Sequence, residues 1–361
     1  YSKTITVTFK SGLAGAETST LRDTIYNTAI SANFTLPAQA ALTAYGWTAK
    51  GWTADVSTFT GVAAGTSETF VTSTTMYGTY TRTLTYQYHV NGGSYNGPTG
   101  GDDTIGDGST VTAEQKYNAS GSLQAPSITL DNGADFVRTG YSLGGWSNNA
   151  GAENTLDFAL SATYNEFNPD ASGTGTTKTF YAHWTVNTYT LTLVNGTPAG
   201  ISALSATGNG VTATATANVY NVVYGAEVTL TATVKTGYTF KLWIITEPKV
   251  EHLDGNPCKY TMGALNATAR ATATENTYTI KFDGNSQSIG VAVDGSMADL
   301  AMTYDQSKNL TANAYSAAGF TFVGWNTNEN ATTALYADKA SVKNLTAENG
   351  GVVTLYAIWK A

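Results

Sequence analysis

A short phrase that occurs four times along the 361-residue chain constrains its fold more than any other feature. Each copy has a glycine followed by an aromatic residue, then four further residues, and then a tryptophan. The copies are Gly46-Trp47 to Trp52, Gly140-Tyr141 to Trp146, Gly237-Tyr238 to Trp243 and Gly319-Phe320 to Trp325. They recur at intervals of about 80–100 residues, which is an ordinary domain length, and this self-similarity indicates a tandem array. A residue found in one copy alone is therefore a weak candidate for a shared function.

Alternation of threonine with apolar residues precedes each phrase and predicts a half-buried opening strand, because the period of two matches a strand. These stretches are Thr4 to Phe9, Thr83 to Tyr86, Thr188 to Leu193 and Thr277 to Ile280. A tyrosine followed by asparagine, glycine or aspartate then predicts a tight turn in each copy. We call this pair the Tyr-turn, and its four copies are Tyr26-Asn27, Tyr117-Asn118, Tyr224-Gly225 and Tyr304-Asp305.

Each phrase also predicts a strand that runs toward its tryptophan. A spacing of five residues places the first aromatic residue and the tryptophan on opposite faces of a regular strand. A bulge at Gly145 or Gly324 would return them to one face. A closing strand rich in aromatic residues follows in three copies, at Met76 to Tyr80, Phe180 to Trp184 and Leu355 to Trp359. The third copy ends instead in alternating threonine and alanine.

These patterns predict a mainly β chain of four repeats with almost no linker between them. The predicted bounds are 1–81 for repeat 1, 82–186 for repeat 2, 187–275 for repeat 3 and 276–361 for repeat 4. Short connections limit the angles that neighbouring domains sample, so we expect an elongated, semi-rigid rod. Residues 91–115 form an insertion that the repeat pattern does not account for.

Composition excludes several classes of function. A net charge of −8 and a pI near 4.9 argue against nucleic-acid binding, which needs basic patches to neutralise phosphates. The single cysteine, Cys258, allows no intrachain disulfide. No apolar run approaches the ~18 residues of a membrane helix, so no transmembrane segment is predicted. A surface rich in threonine, serine and asparagine, with 12% charged residues, is typical of secreted β-proteins and predicts an extracellular or cell-surface location.

Few residues are candidates for metal binding or catalysis. Asp102, Asp103 and Asp107 lie in a glycine-rich stretch, and closely spaced carboxylates are the ligands that calcium prefers. Their spacing does not match an EF-hand, so an ordinary solvated loop is the alternative, and no cofactor is otherwise expected. The three histidines have no partner that recurs among the repeats. No nucleophile–base triad, phosphate loop or metalloprotease signature occurs, and the chain is predicted not to be an enzyme.

The recurring aromatic residues are predicted to build the core of each repeat, because one tryptophan buries ~150–250 Å². If these side chains were exposed instead, they would favour the alternative of a carbohydrate-binding site in which aromatic rings stack against sugars. The predicted core set is Trp47, Trp52, Tyr141, Trp146, Trp184, Tyr238, Trp243, Phe320, Trp325, Tyr356 and Trp359.

The assembled pattern resembles the internalin B-type repeat, also called the Listeria–Bacteroides repeat, of bacterial surface proteins. Residues 319–325 (GFTFVGW) and 355–359 (LYAIW) match that pattern nearly residue for residue. Repeat 2 is similar, repeat 3 resembles a divergent branch, and repeat 1 is the weakest match. The resemblance implies a small β-grasp-like fold per repeat, a role as stalk or spacer in large surface proteins, and no catalytic residues.

Three functional hypotheses follow. The first is a surface stalk, spacer or adhesin, whose partner would be a host or matrix ligand. The second is a self-assembling subunit of a filament or surface layer, in which the chain pairs with itself by strand exchange. Ile5, Val7 and Phe9 lie on the strand nearest the start of the sequence and are the candidate donor residues. The third is a carbohydrate-binding module that uses exposed aromatic side chains.

Overall fold

The computed structural model describes residues 1–26, 28–97, 109–151, 153–247 and 249–361. Strands account for 52% of the chain and helices for 3%, which confirms the mainly β prediction. The chain divides into two compact units, unit 1 at Tyr1–Thr185 and unit 2 at Val186–Ala361. Each unit contains two copies of the glycine-aromatic phrase.

Unit 1 contains two short 3-10 turns, Leu13–Gly15 and Thr43–Tyr45, and fourteen strands among its described residues. The strands are β1 Ser2–Ser11, β2 Glu17–Tyr26, β3 Ala32–Thr35, β4 Thr48–Thr53, β5 Ser67–Phe70, β6 Thr74–His89, β7 Ser94–Tyr95, β8 Thr110–Asn118, β9 Ser122–Gln124, β10 Ile128–Thr129, β11 Phe136–Val137, β12 Tyr141–Ser147, β13 Thr163–Tyr164 and β14 Thr177–Val186.

Unit 2 contains one short helix, α1 Ser286–Ile289, and seventeen strands among its described residues. The strands are β15 Thr188–Asn195, β16 Ile201–Thr207, β17 Val211–Ala213, β18 Val219–Val223, β19 Glu227–Val234, β20 Tyr238–Thr246, β21 Glu251–Leu253, β22 Cys258–Thr261, β23 Ala267–Glu275, β24 Thr277–Asp283, β25 Val293–Asp294, β26 Leu300–Thr303, β27 Lys308–Asn309, β28 Ser316–Ala317, β29 Thr321–Asn326, β30 Ser341–Val342 and β31 Gly351–Lys360.

The same strand order recurs around every phrase. The opening strand lies between the closing strand of its own repeat, to which it runs parallel, and the strand that leads into the Tyr-turn. In repeat 4 this order is β26-β24-β31-β29, with β24 parallel to β31. In repeat 3 it includes β18-β15-β23-β20, with β15 parallel to β23. The phrase strand then pairs antiparallel to the closing strand on its other side.

Unit 1 joins its two repeats through one continuous strand. The 16 residues of β6 pair in parallel with β1 near their start and in parallel with β14 near their end. The strand therefore closes repeat 1 and opens repeat 2, and it crosses the predicted bound at 81/82 without a break. No proline interrupts its alternating threonine and aromatic residues, so the sheet extends through the junction. In unit 2, Asn276 alone separates β23 from β24.

The predicted bulge occurs beside Gly324. The register of β29 against β31 shifts between Phe322 and Gly324, and Gly324 adopts a φ of 149°. A side chain there would overlap the carbonyl oxygen of Tyr336, because Trp325 and Tyr336 exchange backbone hydrogen bonds of 2.7 and 2.9 Å. Glycine is therefore required where the returning segment meets the phrase strand.

Candidate functional site at the repeat junctions

The predicted aromatic residues separate into several apolar clusters. Trp52 packs in the cluster of repeat 1, Trp146 and Trp184 in that of repeat 2, Tyr238 and Trp243 in that of repeat 3, and Trp325 in that of repeat 4. Tyr141 and Trp359 pack against these clusters while partly exposed. Phe320 and Tyr356 are half-buried and lie outside the clusters. Trp47 belongs to a fifth cluster, which contains residues of both repeats of unit 1.

This fifth cluster is the first junction. Its buried residues are Leu42, Trp47 and Tyr80 from repeat 1 and Tyr117 and Ala119 from repeat 2. The ring centroids of Trp47 and Tyr117 lie 5.5 Å apart, and those of Tyr80 and Tyr117 lie 5.8 Å apart. Aromatic pairs at such distances contribute about 0.5–1.5 kcal/mol beyond their burial. The two repeats of unit 1 therefore share an apolar core.

Arg82 lies at the centre of the first junction and is only 3% exposed. Its guanidinium group also lies over the ring of Trp47, 4.3 Å from the ring centroid. Burial lowers the pKa of Arg82, although arginine remains protonated in proteins. All five N–H donors of the guanidinium group are used. The acceptors are Gln115 Oε1 at 2.7 Å and the carbonyl oxygens of Tyr45 at 3.2 Å, Gly173 at 2.6 Å, Pro169 at 2.9 Å and Asp170 at 2.9 Å.

Arg82 therefore connects both repeats without a carboxylate partner. Tyr45 belongs to repeat 1, whereas Gln115 and the loop 168–173 belong to repeat 2. The buried Gln115 donates to Asn168 Oδ1 at 2.6 Å and to the Pro169 carbonyl at 2.9 Å, which fixes the same loop. Neutral acceptors in fixed positions match the planar fork of arginine, and a lysine ammonium has too few donors to satisfy all of them.

Further hydrogen bonds join the two repeats of unit 1. Tyr117 Oη accepts a hydrogen bond from the Ala14 amide at 2.6 Å and donates to the Gly12 carbonyl at 3.2 Å. Trp47 Nε1 donates to the Ala171 carbonyl at 2.7 Å. The fully buried Asn118 donates through Nδ2 to carbonyls of repeat 1, at 3.1 Å for Asp55 and 2.7 Å for Thr58. These contacts limit rotation at the junction.

The second junction lies in unit 2 and is organised by Asn276. Its backbone N–H donates to the Gly237 carbonyl, and its own carbonyl accepts from the Tyr304 amide, both at 2.8 Å. Its side chain accepts from Thr239 Oγ1 at 2.6 Å and donates to the Ala347 carbonyl at 2.7 Å. This one linking residue, 7% exposed, is therefore bonded to repeat 3 and to repeat 4.

Tyr238 completes the second junction. Its ring lies 6.1 Å from that of Tyr304, and its hydroxyl donates to Asp305 Oδ2 at 2.9 Å. Burial, followed by the hydrogen bond to Asp305, raises the pKa of Tyr238 to about 12. The hydrogen bond from Asn344, and then that from Tyr238, lowers the pKa of Asp305. A Cβ on Gly237 would overlap the Tyr304 ring, so glycine permits this close approach.

One arrangement is common to both junctions. The aromatic residue that follows the phrase glycine in the earlier repeat contacts the Tyr-turn tyrosine of the later repeat. The pairs are Trp47 with Tyr117 and Tyr238 with Tyr304. The sequence assigned these aromatic residues to the core of single repeats. Their recurrence in every copy is equally consistent with a contact between repeats, and that signal was present in the sequence.

The remaining candidate residues lie apart from the junctions. Asp102, Asp103 and Asp107, the predicted calcium ligands, fall outside the described residues. Within the described part of the chain, no group of three or more histidine, cysteine, aspartate or glutamate side chains is placed to hold a metal ion. None of the described helices has the length and apolar character needed to cross a membrane.

The candidate donor residues Ile5, Val7 and Phe9 are fully buried in the cluster of repeat 1. Their strand β1 pairs antiparallel with β2 on one side and parallel with β6 on the other. Exchange of β1 with another chain would therefore break two ladders of hydrogen bonds and open a core. Strand exchange stays a prediction with this cost attached.

Comparisons with known proteins identify the repeats. The model of the Listeria-Bacteroides repeat domain matches residues 83–183 and 278–358, and that of the divergent InlB B-repeat domain matches residues 202–277. No curated protein matches the chain. Among solved structures, the TIE protein of Bacillus anthracis is 12% identical, with a TM-score of 0.30 over 100% of this chain and 74% of that one. A likeness at that TM-score supports no conclusion. The two matches to the main repeat model, over more than half of the residues, show that this chain belongs to the Listeria–Bacteroides repeat domain family.

Proposed function

We propose that the chain is a non-enzymatic stalk or spacer at a bacterial surface, outside the cell, in which each repeat closes its own core and the junctions keep neighbouring repeats aligned. Repeat domains of this family are typical of bacterial surface proteins. The observation that carries the proposal is the first junction, where the buried Arg82 donates all five of its hydrogen bonds to fixed acceptors in both repeats.

A flexible tether needs no such junction. Glycine- and serine-rich linkers sample many conformations and shorten the mean distance between their ends. Here the connection in unit 1 is a continuous strand that pairs with other strands on both of its edges. In unit 2 it is the single residue Asn276, whose backbone is hydrogen-bonded to repeat 3 and to repeat 4. Ordering these groups costs conformational entropy. The rigidity gained in return suits a protein that maintains a distance.

An adhesin is the alternative for the same architecture. In that role the repeats themselves would bind a host or matrix ligand, and the exposed surface would carry the function. A filament subunit that assembles by exchange of β1 is a further alternative. Its assembly would require the opening of the repeat 1 core described above.

The stalk proposal is tested on cells that display the full chain with a binding module fused beyond Ala361. The junctions are loosened with Arg82→Met and Asn276→Ala, while Arg22→Met serves as the control because Arg22 is exposed on β2. We expect the loosened variant to capture an immobilised target less efficiently than the control at equal display. Equal capture by both variants would refute the proposal. Matrix binding by the chain without the module would favour the adhesin instead.

A further inference from the structure

A cleft of about 290 Å³ lies in unit 1 where repeats 1 and 2 meet, on the face of the sheet opposite to Arg82. There β4 and β8 pair with the two edges of β6, and Thr81 pairs with Thr48 on one side and with Lys116 on the other. Thr81 lines the cleft. Because consecutive residues of a strand point to opposite faces, Arg82 points away from it. The cleft is therefore lined by both repeats and is separate from the buried contacts of the first junction.

Three ionisable side chains line the cleft. Glu114 and Lys116 are two positions apart on β8 and therefore share a face of the sheet. Lys50 comes from the other side, where the register of β4 against β6 shifts between Ala49 and Gly51 and leaves Lys50 as the extra residue of a bulge. Within the described residues, none of these three side chains forms an ion pair or a hydrogen bond. Their charges are therefore available to a ligand.

An aromatic ring also lines the cleft, and the loop that carries it is fixed on both sides. Phe59 is half-buried and lies in the loop that follows β4. Before it, the buried Asn118 donates through Nδ2 to the Thr58 carbonyl at 2.7 Å. After it, Trp52 and Val62 exchange two backbone hydrogen bonds of 2.8 Å. The cleft is therefore formed without a ligand, which lowers the entropic cost of binding one.

The charges of the cleft favour a ligand with a single anionic group. Two ammonium groups and one carboxylate give it a local charge of +1, whereas the whole chain carries −8. Glu114 repels a second anionic group, so a densely sulfated or phosphorylated chain is disfavoured, and its carboxylate accepts hydrogen bonds from hydroxyl groups. A larger cleft in repeat 3, of about 640 Å³, differs because its charged lining residue is Glu227, which already pairs with Lys259.

We propose that the cleft of unit 1 binds a uronic acid residue of a polysaccharide, with the sugar carboxylate bound by Lys50 and Lys116 and the sugar ring packed against Phe59. Glu114 accepts hydrogen bonds from the ring hydroxyls. Hydrogen bonds between charged groups are stronger than neutral ones, but Lys50 is exposed and Lys116 half-buried, so salt screens these contacts.

A single sugar residue therefore binds weakly. A polysaccharide that presents many uronic acid residues to many copies of the chain on one surface gains affinity by multivalency. This site goes beyond the stalk proposal, which requires no ligand.

The test is saturation-transfer difference NMR of the full chain with sugars at millimolar concentration. The probes are the methyl glycosides of glucuronic acid and galacturonic acid. Those of glucose and galactose lack the carboxylate, and acetate has a carboxylate without a ring. We expect an acidic glycoside to bind more tightly than its neutral counterpart and than acetate, and its affinity to fall as the salt concentration rises.

Substitutions assign the binding to this cleft. Lys50→Gln and Lys116→Gln should each weaken binding of the acidic glycoside about tenfold, because each removes a hydrogen bond between charged groups. Phe59→Ala should also weaken it. Lys281→Gln is the matched control, since Lys281 is exposed on β24 in the other unit, and this variant should bind like the wild-type sequence.

Lys50 is exposed in a bulge, so Lys50→Gln retains the fold and stays informative even if Lys116→Gln is destabilised. The inference would be overturned if neither acidic glycoside bound, or if the neutral glycosides or acetate bound equally well. It would also be overturned if Lys50→Gln bound like Lys281→Gln. The stalk proposal is tested separately, because its capture assay compares variants of Arg82 and Asn276, which lie outside this cleft.

Discussion

Replacement of Arg82 by methionine tests the first junction most severely. Methionine retains much of the side-chain volume and removes all five donors. Five acceptors then lose a partner inside the protein, and an unsatisfied buried polar group costs about 1–3 kcal/mol. Relief from burying the guanidinium charge and partial hydration of the loop offset part of this loss. We therefore expect Arg82→Met to lower the free energy of unfolding of unit 1 by about 3 kcal/mol.

Arg82→Lys should recover only part of that loss. It keeps the charge but offers three donors from a single nitrogen, and it cannot span acceptors on Tyr45, Gln115 and the loop 168–173 together. Arg22→Met provides the baseline, because substitution of an exposed residue changes stability by about 0.5 kcal/mol or less. The comparison separates the junction from any general effect of lost charge.

The assay is native-state hydrogen exchange of the full chain read by mass spectrometry, because it measures local opening and reports unit 1 separately from unit 2. Peptides that contain Tyr45, Trp47 and residues 168–173 should lose protection in Arg82→Met, while peptides of unit 2 remain unchanged. If Arg82→Met exchanged like Arg22→Met, the buried hydrogen bonds of Arg82 would not stabilise the junction.

Three further predictions concern the repeats themselves. The buried hydroxyl of Tyr86 has no hydrogen-bond partner among the described residues, so Tyr86→Phe should stabilise unit 1 by about 1 kcal/mol in urea unfolding, and a loss of stability would contradict this. Gly324→Ala should cost about 3 kcal/mol, because a Cβ there overlaps the Tyr336 carbonyl; Gly350→Ala, also at positive φ but facing open space, should cost less. Tyr238 contributes stability below its ordinary pKa of 10.0, and this contribution should be lost as the pH rises toward its folded pKa of about 12. Tyr238→Phe should therefore lose less stability at alkaline pH than the wild-type sequence, and an unchanged loss would exclude a contribution from Tyr238.

The sequence predicts the repeated parts of this protein well, and the physical reason is periodicity. Opening strands alternate with a period of two, and the glycine before the tryptophan anticipates the bulge found at Gly324. In repeat 3 Leu242 occupies that place, yet the register of β20 against β23 shifts in the same way, between Phe240 and Leu242. The glycine is therefore not required for the bulge in every repeat, and in repeat 3 the other edge of the phrase strand pairs with the regular strand β21.

The junctions could not be predicted in the same way. The hydrogen bond between Trp47 and the Ala171 carbonyl joins residues 124 positions apart, through a loop with no periodic pattern. Arg82 occurs in one repeat only. The expectation that functional residues recur in every copy therefore made it a weak candidate. The sequence also did not reveal that β6 continues across the predicted bound at 81/82. An uninterrupted strand pattern does not indicate where one repeat ends and the next begins.

The rigidity of the first junction is tested most directly by a distance measured across it in the full chain. Spin labels are placed at Thr20 on β2 and Thr112 on β8, both exposed, in a Cys258→Ser background, and their separation is measured by double electron–electron resonance. If Arg82 holds the two repeats in one arrangement, the wild-type sequence and Arg22→Met give one narrow distance distribution, and Arg82→Met gives a broader one. A broad distribution in the wild-type sequence, unchanged by Arg82→Met, would show that the two repeats move independently and that the first junction does not hold them together.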